Sequence, residues 1–383
     1  MHRVKAVLVS LLVLVFQLTA FPISIFIARS WRGRFQGFVA RIAAFFYTSL
    51  LVTIGCGLAG GVALAAIPFG VTIACSILIL GCIPLIILFR RPPLVGAGPV
   101  DSHFLQEWNP NLFGWDDVED EYVWLLVKCI TWLYPWMPDD ERVQTRDTIR
   151  RLLDEICTLP DYYKLARVTS LMSIVLRNGR LDPHHCYSYQ PAPQEPGERF
   201  GLFVFLHGHG TNYLVLLHAL RPLADRMRLV LVAPTFGYGN WEAPGGVEAI
   251  DRAIRFGLEA FEVNPSRVFL AGLSQGGAGV SRAAAATPDR YAGLVFISAT
   301  MESSVIDSEA FAMGWKGKPV LVIQGQCDRN VTPQSVAAGV ETMEAHKVCV
   351  TIHFHPESGH FLFFAKLSEM ERQIADWIGQ IST

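Results

Sequence analysis

One serine lies between two pairs of small residues directly after an apolar run, in residues 269–279, FLAGLSQGGAG. Residues 272–276 fit the pattern G-x-S-x-G, and the flanking sequence predicts a strand before Ser274 and a helix after it, the context that this pattern requires. Small residues on either side let strand and helix approach closely, and the helix N-terminus favours negative charge beside the hydroxyl. The pattern is common by chance, so a nucleophilic role for Ser274 needs partner residues.

A base and an acid follow at the ends of later apolar runs. A serine hydroxyl attacks when a base accepts its proton, and a carboxylate holds that base in the correct tautomer. Asp328 comes three residues after PVLVIQG, and His360 comes after VCVTIHF. The order Ser, Asp, His is the one found in hydrolases built on a parallel sheet. Glu302 follows an earlier strand and is an alternative acid, but the surroundings QCDRNVTP favour Asp328.

Backbone donors for a developing oxyanion are expected in FLHGHGTN, residues 205–212. We predict that the N–H groups of His209 and Gln275 form the donor pair. His207 is interpreted as a residue that shapes this loop, because it precedes the serine in the chain. In the loop at residues 236–246, Tyr238 and Trp241 either line an acyl pocket or pack the loop, and the sequence favours neither alternative.

Six apolar runs predict the sheet that must position these residues. They are FGLFVFLHG, RLVLVAPT, RVFLAG, AGLVFIS, PVLVIQG and VCVTIHF. Helical stretches lie between them, such as residues 247–261 with apolar residues at steps of three and four. Buried strands that alternate with helices predict an α/β fold, a mostly parallel sheet with helices on both faces. Ligands bind beyond the carboxyl ends of such strands, where Ser274, Asp328 and His360 fall.

Residues 1–91 are predicted to be a membrane region. Residues 6–28 and 42–89 contain no charged residue, and about 20 apolar residues cross a bilayer. The first stretch predicts one span, since it is longer than the apolar region of a signal peptide, and the second predicts two spans that turn at IPFG. By the positive-inside rule, the arginines after the first and third spans place everything downstream in the cytoplasm.

Residues 92–180 are predicted to be a linker and a helical subdomain, and residues 181–383 the catalytic domain. DDVEDEYVWLLVKCITWLY and DDERVQTRDTIRRLLDEI read as helices that open with acidic residues. The aromatic residues of this segment are interpreted as the core of the subdomain, with a place in the lipid headgroup belt as the alternative. We expect the segment to pack beside the mouth of the cleft and to orient it relative to the bilayer.

Composition argues against several partners and cofactors. The net charge of the 383 residues is −2, which speaks against a surface that binds nucleic acid. Five cysteines beyond the spans are scattered without a CxxC pair, so neither a disulfide framework nor a zinc site is predicted. HHC at residues 184–186 lacks a second ligand pair. We therefore expect no metal and no cofactor.

From about residue 184 onward the chain resembles the α/β-hydrolase superfamily. Residues 264–299, NPSRVFLAGLSQGGAGVSRAAAATPDRYAGLVFISA, are similar to the esterase and predicted-peptidase branch, which includes carboxylesterases, feruloyl esterases and polyester depolymerases. The resemblance implies the α/β-hydrolase fold, with Ser274 as nucleophile, Asp328 as acid and His360 as base. That branch often has a longer insertion near the acid, whereas residues 301–318 alone separate two strands here, so no large lid is expected there.

Three classes of function remain at this point. The preferred one is a membrane-anchored serine hydrolase that cleaves a carboxylic ester, either a small molecule or a lipid-like ester, with membrane lipid as its surroundings. A serine peptidase of the same fold is the first alternative. A non-catalytic membrane binding protein with a hydrolase-like domain is the second, and the complete set of Ser, His and Asp argues against it.

Overall fold

The computed structural model describes residues 100–104, 134, 136–158, 185–209, 213–237 and 239–381. The chain divides into two compact units, residues 1–95 with 110–125 and residues 96–109 with 126–383, and every described residue belongs to the second. Among these residues, no helix has the length and apolar character needed to cross a membrane. The three predicted spans lie outside the described residues, as does the helix predicted from residue 116.

One mixed sheet organises the described part of the chain. Its eight strands there are β1 (Val100–Phe104), β2 (His185–Tyr189), β3 (Phe200–Leu206), β4 (Leu229–Pro234), β5 (Val263–Leu273), β6 (Gly293–Ile297), β7 (Pro319–Gly325) and β8 (Cys349–His355). Their spatial order is β1-β2-β4-β3-β5-β6-β7-β8. β2 pairs antiparallel with β1 and with β4. All pairs from β4–β3 to β7–β8 are parallel, so their carboxyl ends meet at one edge.

The six strands predicted from apolar runs correspond to β3–β8, and the α/β class is confirmed. β1 and β2 were not predicted as strands. In β2, buried His185 and Ser188 interrupt the apolar pattern, and Ser188 Oγ lies 2.9 Å from Nε2 of His103 in β1. β1 comes from the segment interpreted as linker and helical subdomain, so the sheet begins before the boundary predicted at residue 181.

Helices cover both faces of the sheet. Those in the described residues are α1 (Asp139–Thr158), α2 (Tyr213–Ala219), α3 (Arg221–Met227), α4 (Gly246–Ala260), α5 (Gly276–Ala286), α6 (Ser303–Ile306), α7 (Glu309–Trp315), α8 (Pro333–Ala345), α9 (Leu362–Ala365) and α10 (Leu367–Ile381). Leu202 and Val204 of β3 share a core cluster with buried residues of α4, α5 and α8. Phe205 points to the opposite face, where its ring packs 5.7 Å from that of Phe363 in α9.

Helix α1 includes all residues of the second helix predicted in the segment before the catalytic domain. Its first turn holds Asp139, Asp140 and Glu141, as suits a helix N-terminus. Ile149 and Leu152 are buried on one side of it, and the helix packs against α2 and α9. This part of the segment therefore contributes to the same packed unit as the sheet.

Candidate active site

Ser274 sits on a sharp turn between β5, which ends at Leu273, and α5, which begins at Gly276. Its φ is +52°, in the left-handed region that residues other than glycine rarely adopt. The turn is closely packed on both sides. A Cβ at Gly272 would lie 2.5 Å from the carbonyl carbon of Gly276, and a Cβ at Gly276 would lie 2.3 Å from the carbonyl oxygen of Leu206. Glycine is therefore needed at both positions, as the G-x-S-x-G pattern anticipates.

Ser274, His360 and Asp328 form one hydrogen-bonded path at the carboxyl edge of the sheet. Ser274 Oγ lies 2.9 Å from Nε2 of His360, and His360 Nδ1 lies 2.8 Å from Oδ2 of Asp328. A carboxylate can only accept, so Nδ1 carries the proton that it donates to Asp328. Nε2 is then the unprotonated nitrogen and can accept a proton from the serine hydroxyl.

The carboxylate of Asp328 is held from behind by the backbone. Oδ1 accepts the N–H groups of Asn330 at 2.8 Å and Val331 at 2.9 Å, and the side chain is fully buried. These two backbone donors fix the plane of the carboxylate. Because Oδ1 is occupied in this way, Oδ2 is the oxygen directed at His360.

The alternative acid, Glu302, is engaged elsewhere. Its two carboxylate oxygens accept from Nε and Nη2 of Arg282 at 2.6 and 2.5 Å. This bidentate pair raises the pKa of Arg282 and leaves neither oxygen of Glu302 bonded to His360. The structure therefore brings Asp328, rather than Glu302, to the histidine.

The loop expected to supply an oxyanion donor lies directly against the serine. A Cβ at Gly208 would be 2.9 Å from Cβ of Ser274. His207 Nδ1 donates to the carbonyl oxygen of Gly208 at 2.8 Å, and its Nε2 accepts the N–H of Phe236 at 3.2 Å. The carbonyl and the N–H of a trans peptide point in opposite directions, so the N–H of His209 points away from the His207 ring.

His207 is a buried, neutral brace for this loop, which agrees with its interpretation as a shaping residue. Burial lowers the pKa of His207 to about 3, because a charged imidazolium without solvent is costly. Each ring nitrogen already serves one backbone group, which fixes the tautomer with the proton on Nδ1.

Gln275, the second predicted donor, is the N-cap residue of helix α5. Its side-chain Nε2 donates to Glu242 at 3.1 Å, and its Oε1 accepts from Thr300 Oγ1 at 3.4 Å. These contacts hold the residue that follows Ser274, whose N–H belongs to the helix N-terminus. The oxyanion role of His209 and Gln275 stays a prediction.

Of the two candidate pocket residues, Tyr238 lies outside the described residues. Trp241 is fully buried, stacks on Phe236 with ring centroids 5.4 Å apart and donates from Nε1 to the carbonyl oxygen of His207 at 2.8 Å. In this arrangement Trp241 packs its loop against residues 207–209. Gly239 does the same through its backbone, since a Cβ there would lie 2.8 Å from the carbonyl oxygen of Gly208.

Glu141 is a site residue that the sequence reasoning missed. Its carboxylate accepts the N–H of Gly359 at 2.6 Å and the N–H of Phe361 at 2.8 Å, so it binds the backbone on both sides of His360. Burial, first among several causes, raises the pKa of Glu141. In the sequence it was only one of three acidic residues at a helix start, and its partners lie more than two hundred residues away.

Within the described ranges, no group of three or more His, Cys, Asp or Glu side chains could hold a metal ion. His185 and Cys186 are buried in β2, and His184 lies outside the described residues. Cys327 and Cys349 are exposed free thiols. The absence of a metal and of a cofactor stays a prediction.

Comparisons with known proteins give structural likenesses at low identity. No family model and no curated protein matches the chain. One solved structure that matches is a thermostable esterase, with 20% identity and a TM-score of 0.42 over 51% of this chain and 58% of that one. An esterase from Butyrivibrio proteoclasticus matches with 16% identity and a TM-score of 0.43 over 52% of this chain and 96% of that one. A fluorophosphonate-binding serine hydrolase of Staphylococcus aureus matches with 16% identity and a TM-score of 0.42 over 51% of this chain and 92% of that one. The chain thus spans less than two thirds of the thermostable esterase. At these identities and TM-scores, what those enzymes cleave does not determine the substrate of this chain.

Proposed function

We propose that the chain is a serine hydrolase that cleaves carboxylic esters through an acyl-enzyme. The observation that carries this proposal is the path from Ser274 through His360 to Asp328, with heavy-atom distances of 2.9 and 2.8 Å, at a turn that holds the serine at positive φ. Such a turn, with its partners in the order Ser, Asp, His, is typical of the α/β-hydrolase arrangement.

The proposed first step is acylation of Ser274. His360 Nε2 takes the hydroxyl proton while Oγ bonds to the ester carbonyl carbon, and the carbonyl π electrons move onto oxygen. The N–H groups of His209 and Gln275 stabilise that oxyanion. When the tetrahedral adduct collapses, the bond to the alkoxy oxygen breaks and His360 gives its proton to the leaving alcohol.

Deacylation repeats these steps with water as the nucleophile. His360 accepts a proton from water as the water oxygen bonds to the acyl carbon, and the proton then returns to Oγ of Ser274 as the acid departs. Asp328 stays ionised throughout and stabilises the imidazolium that forms twice in each cycle. No step in this sequence requires a cofactor.

We further propose that residues 1–91 anchor the enzyme in a membrane, with the catalytic part in the cytoplasm and an apolar or lipid-like ester as substrate. The uncharged stretches of the sequence support this anchoring. Support for an apolar substrate comes from Trp136, which is 43% exposed. Its ring packs edge-to-face on Tyr134, whose ring packs in turn on Phe361 beside His360.

A panel of p-nitrophenyl esters of increasing acyl length, run beside matched peptide amides, tests the proposed substrate class. We expect ester cleavage that exceeds amide cleavage and that is lost in Ser274→Ala, apart from the residual rate supplied by binding and the oxyanion hole. Faster cleavage of the amides would make the chain a peptidase. No cleavage of either class, with folded protein, would favour the non-catalytic binding protein.

A further inference from the structure

We propose that Glu141 is a positioning residue for His360: its buried carboxylate binds the backbone on both sides of the histidine and couples helix α1 to catalysis. This inference rests on the proposed function, since it assigns a role in the reaction of Ser274. It concerns a residue in the segment that the sequence assigned to a separate subdomain.

The geometry uses both oxygens of Glu141. Oε2 accepts the N–H of Gly359 at 2.6 Å, and Oε1 accepts the N–H of Phe361 at 2.8 Å. The amides belong to the residues immediately before and after His360, so the carboxylate fixes the backbone on each side of it. Hydrogen bonds to an ionised acceptor are about twice as strong as neutral ones. When the backbone is held there, only the side-chain torsions of His360 remain free, and its hydrogen bonds to Ser274 and Asp328 fix them.

The loop that carries His360 needs an acceptor for the backbone N–H groups on both sides of the histidine. Gly359 is buried, and a buried N–H without a partner costs about 1–3 kcal/mol. Neighbouring groups are satisfied within the loop: Cys327 N–H donates to the carbonyl oxygen of Ser358 at 2.8 Å, and Ser358 N–H donates to that of His355 at 3.2 Å. The N–H groups of Gly359 and Phe361 instead point to the carboxylate of Glu141, which helix α1 carries.

The carboxylate of Glu141 lies so close to Gly359 that a side chain at residue 359 would collide with it. A Cβ at residue 359 would lie 2.7 Å from Oε2 of Glu141, closer than side-chain carbons approach, so glycine leaves the space that the carboxylate occupies. The φ of Gly359 is not among the positive values of the described residues. Backbone conformation therefore does not require glycine at this position, whereas the approach of Glu141 does.

Charge adds a second effect on the histidine. The charges of Asp328 and His360 act on Glu141 in opposite directions, the first raising and the second lowering its pKa. Of the helices that pack on α1, α9 consists of Leu362–Ala365 and carries no charged residue, and His218 of α2 pairs with Glu155 in the last turn of α1. On α1 itself, Asp139 and Asp140 are exposed, and Asp139 pairs with Arg142 at 2.8 Å. An ionised Glu141 therefore stabilises the imidazolium form of His360 together with Asp328.

A matched pair of variants of the full chain tests this role. Glu141→Gln removes the charge and turns an N–H₂ group toward one of the two backbone donors. Asp140→Asn makes the same change one residue earlier, on an exposed side chain at the same helix N-terminus. Rates are divided by the number of sites that a fluorophosphonate titrates, so that loss of folded protein does not count as loss of activity.

For Glu141→Gln we expect kcat per titrated site to fall about 10- to 100-fold, because small displacements of a catalytic group are costly, with KM changed less than about twofold. The acid limb of kcat/KM should move to lower pH, since an opposite charge near His360 is lost. Asp140→Asn should leave both values unchanged. Glu141→Asp keeps the charge, so its midpoint should stay near that of the wild type while kcat falls.

Several results would overturn the role of Glu141. One is a Glu141→Gln enzyme with the kcat and acid midpoint of Asp140→Asn. Another is loss of folded protein, measured by circular dichroism, in both the Gln and the Asp variants, which would make Glu141 a requirement for folding only. Failure of the proposed function looks different, because the wild type itself would then show no fluorophosphonate titration or would keep its activity in Ser274→Ala.

Discussion

Replacing Asp328 by asparagine isolates what the carboxylate does for His360. Asparagine has nearly the same shape but one oxygen and one N–H₂ group, and the structure dictates which way they face. The N–H groups of Asn330 and Val331, at 2.8 and 2.9 Å from Oδ1, require an acceptor there. The amide N–H₂ is then left facing His360 Nδ1, 2.8 Å away, and forces that nitrogen to be the acceptor.

The histidine proton must then sit on Nε2, which cannot accept from Ser274. The productive tautomer returns only if the amide rotates, which leaves the buried N–H of Val331 without an acceptor. At about 1–3 kcal/mol for this group, the productive arrangement is rarely populated. Each 1.4 kcal/mol is a factor of ten, so we expect kcat/KM to fall about 10- to 100-fold in the Asp328→Asn enzyme.

Hydrolysis of a p-nitrophenyl ester at pH 7–8, expressed per folded protein, measures this loss. Asp307→Asn is the control, because Asp307 also contacts a histidine, His346 at 3.3 Å, but is 74% exposed and outside the site. It should retain the wild-type rate. A decrease of less than tenfold in Asp328→Asn would refute the reasoning, since the tautomer of His360 would then not depend on the carboxylate.

Two further predictions concern other contacts. Gly359→Ala places a methyl group 2.7 Å from Oε2 of Glu141, so kcat should fall at least tenfold in a stopped assay. In the double variant with Glu141→Gln, the loss of activation free energy should be smaller than the sum of the two single losses. Full additivity would contradict a shared contact. Burial raises the pKa of Glu371 to about 7, so the folded state loses stability as pH rises from about 4.5 to 7, where the unfolded chain ionises first. Glu371→Gln should therefore be about 3 kcal/mol more stable than wild type at pH 8. At pH 4.5 the two proteins should be nearly equal in urea unfolding, and a difference independent of pH would contradict this prediction.

Local patterns explain what the sequence could predict. The turn at Ser274 depends on residues 272–276 and their flanking strand and helix, all adjacent in the chain. Asp328 and His360 follow from the rule that chemistry gathers at the carboxyl ends of parallel strands. Strands β3, β4, β6 and β7 are buried along nearly their whole length, so each is a nearly continuous apolar run. These features need no knowledge of distant contacts.

Long-range contacts explain what the sequence could not predict. Strand β2 contains buried His185 and Ser188, and Ser188 lies within hydrogen-bond distance of His103 in β1, a partner that periodicity does not reveal. Glu141 binds backbone N–H groups, which every residue type but proline offers, so nothing in the sequence singles out Gly359 and Phe361. Whether Trp241 lines a pocket or packs its loop depends on where its side chain points, which the sequence does not reveal. Its hydrogen bond to the carbonyl oxygen of His207 shows that it packs the loop.

The nucleophilic role of Ser274 is tested most directly by covalent labelling of the full chain. The protein is incubated with a fluorophosphonate, digested and mapped by mass spectrometry, beside Ser274→Ala and heat-denatured wild type. We expect a single phosphonyl adduct on the peptide that contains Ser274, absent from both controls and matched by loss of ester hydrolysis at the same rate. An adduct on another residue, or labelling and hydrolysis that persist in Ser274→Ala, would contradict the assignment of Ser274, His360 and Asp328 as the catalytic residues.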